Sequence, residues 1–346
     1  MNKPFLAEKE REKIADLFCA KLSDWFEATQ RDFPWRQDRS PYRVWVSEVM
    51  LQQTQASVVI GYFIRWMQKF PTLSSLAKAS LEEVIHTWEG LGYYSRARNL
   101  HEGAKYIMQH FEGNIPDTYE QLISIKGLGP YTAGAILSFA FRKKKAALDG
   151  NAIRVLSRYF AIQENVSLTK TVKHMQVLAE ELLPDEAPWR VVEGIIELGA
   201  LICKKKPCCN ECPLQGECLS RRQGIEKSLP KKSPPKALTP LMHSVFILIY
   251  EGQVLVKKGE KGRLMADLYL FAFQQPPPDA TFIETMSPIT HHFTRFKATL
   301  QPTIWQLHSP VDLASHEWVP IAKLKSLPFA AGHRTIRDYI HARFAH

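Results

Sequence analysis

Five of the chain's six cysteines fall between residues 203 and 218, and this clustering restricts the fold more tightly than any other feature. Cys203, Cys209, Cys212 and Cys218 follow the spacing C-x5-C-x2-C-x5-C. Four thiols so close in sequence close a loop around one centre, the kind of pattern that holds an iron–sulfur cluster. Disulfides do not suit a reducing compartment, whereas a structural zinc would accept the same four thiolates and stays open. Cys208 is left over or competes with Cys209, and the isolated Cys19 reads as a small buried hydrophobe. Lys204-Lys205-Lys206 inside the loop and Arg221-Arg222 after it would present cations to phosphates. For Arg142-Lys143-Lys144-Lys145 a plain solvated face is explanation enough.

The chain has 346 residues, which at roughly 100–200 per domain suggests two or three domains. Its 45% hydrophobic content marks a globular protein. The balance of 45 basic against 35 acidic side chains leaves a formal charge of +10. The apolar run Val245–Tyr250 is far shorter than the ~20 residues of a membrane helix. The first ten residues lack an apolar core and carry early acids, unlike a signal or transit peptide. The expected location is the cytoplasm, in association with the nucleoid.

Residues 1–222 repeat apolar positions at helical spacing between breaks such as Ser40-Pro41, Phe70-Pro71 and Gly127-Leu128-Gly129. This stretch is expected to be all helical. Ser80 and Glu83 form a capping-box pattern for a helix running to about Glu89. Residues 223–240 form a linker, because the Pro- and Lys-rich run Lys227 to Pro240 suits neither a helix interior nor a central strand. Residues 241–346 form a small α+β domain, with strands expected at 244–250, 253–257, 269–273 and 298–305 and a helix near 330–345.

Three patterns carry chemistry. In Lys126-Gly127-Leu128-Gly129-Pro130-Tyr131, two glycines turn the chain tightly before a helix whose first turn accepts Pro130, leaving free amides toward an anion. This is a helix-hairpin-helix pattern, suited to a sequence-independent grip on a DNA backbone. Glu48 shares a helix face with Val44, Leu51 and Gln52. Apolar surroundings would raise its pKa toward the value a general acid needs. Asp149, before Gly150-Asn151, is placed to cap a helix, as is Asn151; bonds to helix N–H groups would keep Asp149 ionised. One protonated acid and one ionised acid are the pair that cleaves a glycosidic bond.

Together, Phe33-Pro34-Trp35-Arg36, Ser47-Glu48-Val49-Met50-Leu51-Gln52-Gln53-Thr54-Gln55, Gly90-Leu91-Gly92-Tyr93-Tyr94-Ser95-Arg96, Leu148-Asp149-Gly150-Asn151 and the cysteine loop resemble the MutY-type adenine DNA glycosylases. The cysteine loop and hairpin alone also fit the wider endonuclease III superfamily. The resemblance implies a mainly α, helix-hairpin-helix glycosylase core with a [4Fe-4S] cluster on Cys203, Cys209, Cys212 and Cys218, followed by a C-terminal α+β MutT (Nudix)-like domain. It implies a monomer that flips adenine from a mispair with 8-oxoguanine or guanine in double-stranded DNA and hydrolyses its N-glycosidic bond. Glu48 would protonate the departing base. Asp149 would stabilise the sugar cation or form a transient adduct, supported by Asn151. Gln52, Gln53 and Tyr93 fall where the family contacts or wedges the duplex, Gly127 and Gly129 in its hairpin, and Trp35, Arg36 and Glu193 at the adenine pocket. Tyr131, after Pro130, stands where the bifunctional lyases of the superfamily carry a Schiff-base lysine, and without that amine strand cleavage should be weak or absent. In His291-His292-Phe293-Thr294-Arg295 the family usually shows Phe-Ser-His; Thr294 keeps the hydroxyl and Arg295 replaces the His. The family usually leaves six residues between its first two cysteine ligands, and here there are five. No run of metal-binding glutamates marks the C-terminal domain, so it is expected to bind and not hydrolyse.

Two rivals remain at this level: a bifunctional endonuclease III-like enzyme, and a non-enzymatic iron–sulfur DNA-binding regulator. The basic balance implies that affinity for non-specific duplex, measured by fluorescence anisotropy, falls ~10³-fold or more between 50 and 200 mM salt if about six phosphates are contacted. A flat salt response would contradict the phosphate grips.

Overall fold

The computed structural model describes residues 8–234, 237–260, 265–293 and 296–345. They form two compact units, one of residues 8–78 and 99–234, the other of 79–98 and the described residues from 237 onward. No helix among the described residues is long and apolar enough to cross a membrane.

The first unit is built of helices. Its core gathers Phe18, Leu22, Phe26, Trp45, Phe63, Trp66 and Phe70, all but shut off from solvent. The long helix Glu8–Thr29 packs along the helix Pro188–Leu201, joining parts of the unit that are far apart in sequence. Three starts have local causes. Pro41 opens the helix Pro41–Leu51, and Pro130 opens Pro130–Ala135, each at the position where a missing N–H costs nothing. Asp149, not Asn151, caps Gly150–Tyr159, accepting from the backbone N–H of Asn151 and Ala152.

Gly134 explains how the hairpin helix meets the segment leading to Asp149. A Cβ there would lie 2.3 Å from the carbonyl oxygen of Ala146, a backbone atom that has no room to retreat. The glycine lets the helix bearing Tyr131 touch the chain three residues before Asp149. Within the hairpin, Gly127 has φ +89°, a conformation that only glycine adopts cheaply, whereas Gly129 is extended at φ −94°.

In the second unit, seven strands among the described residues form one mixed sheet: β1 Thr239–Tyr250, β2 Gln253–Lys258, β3 Tyr269–Phe271, β4 Thr281–Thr285, β5 Ile289–Phe293, β6 Phe296–Gln306 and β7 His316–Pro320. The order is β3-β2-β1-β6-β4, with β1 and β6 parallel, β5 also on β6 and β7 on β2. The helix Ala331–Phe344 covers one face, its Ile336 and Ile340 joining the core of Val245, Ile247, Val256, Phe271 and Phe329. The capping box of Ser80 and Glu83 forms, and its helix spans Leu81–Thr87.

Two expectations change. Strand β1 begins at Thr239 and takes in Pro240, which the linker was expected to hold. Proline is tolerated because this end of β1 pairs only with β6, while β2 pairs at Ile249 and Tyr250. Strands β4, β5 and β7 were not expected: they are short, and β4 is largely exposed, so none shows a marked apolar alternation.

Gly134→Ala is expected to destabilise the chain by about 1–3 kcal/mol through overpacking. Gly216→Ala, where an added Cβ meets nothing within 4 Å, should leave the urea midpoint nearly unchanged. Equal midpoints for the two variants would contradict the close approach.

Candidate active site

Glu48 lies on a helix buried from Val44 to Met50 and is only 5% exposed. It lines a cavity of about 760 Å³ together with Trp35, Arg36, Gln52, Gln53, Tyr131, Asp149, Asn151 and Glu193. The Tyr131 hydroxyl donates to Glu48 Oε2 at 2.5 Å. Burial pushes the Glu48 carboxyl up to about 7; the Tyr131 hydrogen bond opposes this, the neighbouring Glu193 and Asp149 add to it, and Arg36 opposes it. Burial and the adjacent Glu48 charge drive the Tyr131 phenol well above its ordinary value, so it remains a hydroxyl donor.

Asp149 is fixed from three sides. Its Oδ1 accepts from Asn151 N at 2.9 Å and Ala152 N at 2.7 Å, and its Oδ2 from Asn151 Nδ2 at 2.7 Å. These bonds were expected to keep Asp149 ionised, and they do lower its carboxyl, but burial acts against them. Burial raises the Asp149 carboxyl above its ordinary value and outweighs the backbone N–H groups of Ala152 and Asn151, the Asn151 side chain and Arg154, all of which lower it. Arg154 ties the same corner to the cysteine loop, donating to Asn151 Oδ1 and to the carbonyl of Cys203, each at 2.7 Å.

A ladder of opposite charges forms another wall. Glu197, 1% exposed, accepts from Arg31 Nε at 2.6 Å and Arg36 Nη2 at 2.9 Å. Burial pushes its carboxyl up, but these arginines overcome it and hold it below the usual range. Glu193 meets Arg39 at 2.8 Å and Arg36 at 3.7 Å through Oε1, while its buried Oε2 has no hydrogen-bond partner. Trp35 stacks on Phe33 at 4.6 Å and presents its edge to Phe63. Sequence reading found Trp35, Arg36 and Glu193 but missed Arg31, Arg39 and Glu197. A signal was available: Glu193 and Glu197 are one turn apart in a stretch, residues 191–201, that is otherwise apolar, which calls for partners.

The remaining expected residues are spread out. Gln52 donates to Thr132 Oγ1 at 3.3 Å, and exposed Gln53 holds φ +59°. Gly127 and Gly129 form the hairpin turn. Tyr93 and Phe293 belong to the second unit; Tyr93 is exposed, Phe293 ends β5, and Thr294 and Arg295 lie outside the described residues. Cys203, Cys209, Cys212 and Cys218 line one small cavity with Arg158, Arg221 and Glu226, and Cys208 is exposed. Among the described residues, no three His, Cys, Asp or Glu side chains are placed to hold a single metal ion. Arg158 Nη1 lies 3.3 Å from Cys203 Sγ and also reaches the carbonyls of Cys203 and Lys204. Lys143, Lys144 and Lys145 each pair with a carboxylate, of Asp117, Asp185 and Glu180, as a solvated basic face would.

Glu48 carries a linkage of defined sign. Its carboxyl titrates near the ordinary 4.5 in the unfolded chain and at about 7 in the fold. The folded state therefore holds the extra proton between these values, and this contribution to stability, complete below pH 4.5, is lost as pH rises through 7. Glu48→Gln should gain on the parent by about 2–3 kcal/mol between pH 4.5 and 8, read from urea unfolding. A stability difference that does not change with pH would show that Glu48 is not desolvated.

Residues 46–184 match the family described as HhH-GPD superfamily base excision DNA repair protein. The adenine DNA glycosylase of Rattus norvegicus is 45% identical over 232 residues, 63% of this chain and 45% of that protein. The chain thus spans about half the length of its mammalian relatives. The adenine DNA glycosylase of Buchnera aphidicola subsp. Acyrthosiphon pisum is 31% identical over 304 residues, covering 84% of this chain and 87% of that protein. Among solved structures, a thermostable thymine-DNA glycosylase aligns at 27% identity and a TM-score of 0.56, over 61% of this chain and 98% of its own. An endonuclease III–DNA covalent intermediate aligns at 21% identity and a TM-score of 0.54, over 62% and 98%, a likeness of fold alone. Breadth of match to the shorter relatives, beside the helical fold, makes the chain a member of the adenine DNA glycosylase family.

Proposed function

We propose that this chain is a monofunctional, monomeric adenine DNA glycosylase of base excision repair, acting on adenine opposite 8-oxoguanine or guanine in double-stranded DNA. One observation carries the reading: a carboxyl held near neutral pH by burial and a second, helix-capping carboxyl line the same cavity. An extruded purine has π-faces for the Trp35 wall. The partnerless Oε2 of Glu193 is an acceptor for its exocyclic amine. Extrusion costs a few kcal/mol, least at a mispair.

With a pKa of about 7, Glu48 is protonated in a large fraction of molecules at neutral pH. Tyr131 occupies Oε2 and leaves Oε1 to carry the proton to a ring nitrogen of adenine. The glycosidic bond then breaks, its electron pair leaving with the neutral base, and a cation forms on the sugar. Asp149, held by two backbone N–H groups and Asn151, faces that cation or adds to it transiently before water completes hydrolysis. Tyr131 has no amine, so no Schiff base and no coupled strand scission follow.

The cysteine loop suits a [4Fe-4S] cluster. Cys203, Cys209, Cys212 and Cys218 line one small cavity, and their C-x5-C-x2-C-x5-C spacing supports such a cluster. Cys203, Cys209, Cys212 and Cys218 would hold the cluster, which when bound cross-links the loop. Exposed Cys208 supports the choice of Cys209. The mixed sheet and closing helix of the second unit support a MutT (Nudix)-like domain that senses 8-oxoguanine near His291 and Phe293. Such an enzyme would work on chromosomal DNA in the cytoplasm.

Incubation with adenine·8-oxoguanine duplex should release adenine and leave abasic sites that break only after alkali. Glu48→Gln should bind the duplex yet release base at least ~10²-fold more slowly. Prompt scission with a borohydride-trapped adduct would instead identify a lyase, and binding without base release by the parent chain a regulator.

A further inference from the structure

The segment 79–98 interrupts the helical unit in sequence but groups with residues 235–346 by its contacts. It carries a strained turn. Gly90, Gly92 and Tyr93 all have positive φ, of +106°, +69° and +46°, the last on a residue with a bulky side chain. The turn is nevertheless ordered from within. Arg96 donates to the carbonyls of Leu91 and Gly92 at 3.1 and 3.2 Å, and Trp88 Nε1 donates to Gly92 O at 3.0 Å. The outcome is a fixed turn that leaves the Tyr93 side chain 46% exposed.

Both ends of this turn are clamped to the sheet unit. At one end, Glu89 Oε1 accepts from Arg337 Nη1 at 2.8 Å and from Phe329 N at 3.3 Å. At the other, Arg98 Nη1 donates to Ala266 O at 2.8 Å and to Asp267 Oδ2 at 3.4 Å. The paired side chains are largely withdrawn from water, 12% and 8% exposed in the first pair and 19% and 14% in the second. A desolvated ion pair returns little net stability, and what it can supply is a fixed geometry. We propose that Glu89–Arg337 and Arg98–Asp267 are positioning pairs through which the C-terminal unit sets the stance of Tyr93 on mispaired DNA. This rests on the reading of Tyr93 as a residue that wedges into the duplex.

The test uses the full chain carrying Glu48→Gln, so that no base is released. Dissociation constants are measured for adenine·8-oxoguanine duplex and undamaged duplex, and thermal melts confirm folding. Glu89→Gln keeps an acceptor for Phe329 N and removes only the charge, and Asp267→Asn does the same at the other end. Each should lower the preference for the mispair by about fivefold, and Tyr93→Ala added to either should cost less than about twofold more, because coupled residues are not additive. Tyr93→Ala alone should cost at least as much as either. A folded Glu89→Gln, Asp267→Asn double variant that keeps the parent's preference, or in which Tyr93→Ala still exacts its full loss, overturns the clamp and leaves the wedge reading standing. If Tyr93→Ala alone binds like the parent, the wedge reading and the clamp fall together; if the chain without Glu48→Gln releases no adenine, the glycosylase reading itself fails.

Discussion

The hydrogen bond from Tyr131 to a desolvated Glu48 is the contact around which the helical unit is arranged. A carboxyl removed from water prefers its neutral form, and a phenol whose own ionisation is suppressed can orient it without taking its proton. For that arrangement to hold, the helix Pro41–Leu51 must be buried on most sides, and the hairpin helix must bring Tyr131 within reach of it. Gly134 serves the same geometry from behind, admitting the backbone of Ala146 where any side chain would push it away.

Around this buried acid the unit sets two further carboxylates paired with arginines. Glu197 is held charged by Arg31 and Arg36, while Glu193 is gripped on one oxygen and open on the other. Arg36 touches both acids and also faces the Phe26 and Phe33 rings, so its position is set by charge and by aromatic surface together. Buried charges paired in this way cost stability to assemble. Their return is a cavity wall whose donors and acceptors are fixed before a substrate arrives.

The second unit uses charge to the same end. Its sheet is conventional, a mixed array with a helix over one face, yet it holds the turn of residues 90–94 by ion pairs at either side. Tyr93 at positive φ would relax in an isolated peptide, whereas the two glycines beside it adopt such values at little cost. Trp88, Arg96 and the flanking pairs over-determine the turn and keep an aromatic side chain in solvent.

Much of this was legible in the sequence because it depends on local rules. Pro41 and Pro130 mark helix starts, Ser80 and Glu83 their capping box, and the spacing of Val44, Glu48 and Leu51 puts an acid among apolar neighbours. Composition alone separates the helical stretch from the strand-rich end. What the tertiary structure decided is of another kind. That burial outweighs capping at Asp149, that Glu197 joins the wall, that Pro240 enters a strand and that residues 79–98 group with the C-terminal sheet all depend on which distant groups come together. Sequence spacing fixes which side chains share a face; desolvation and long-range pairing exist only once the chain has folded and water has been displaced.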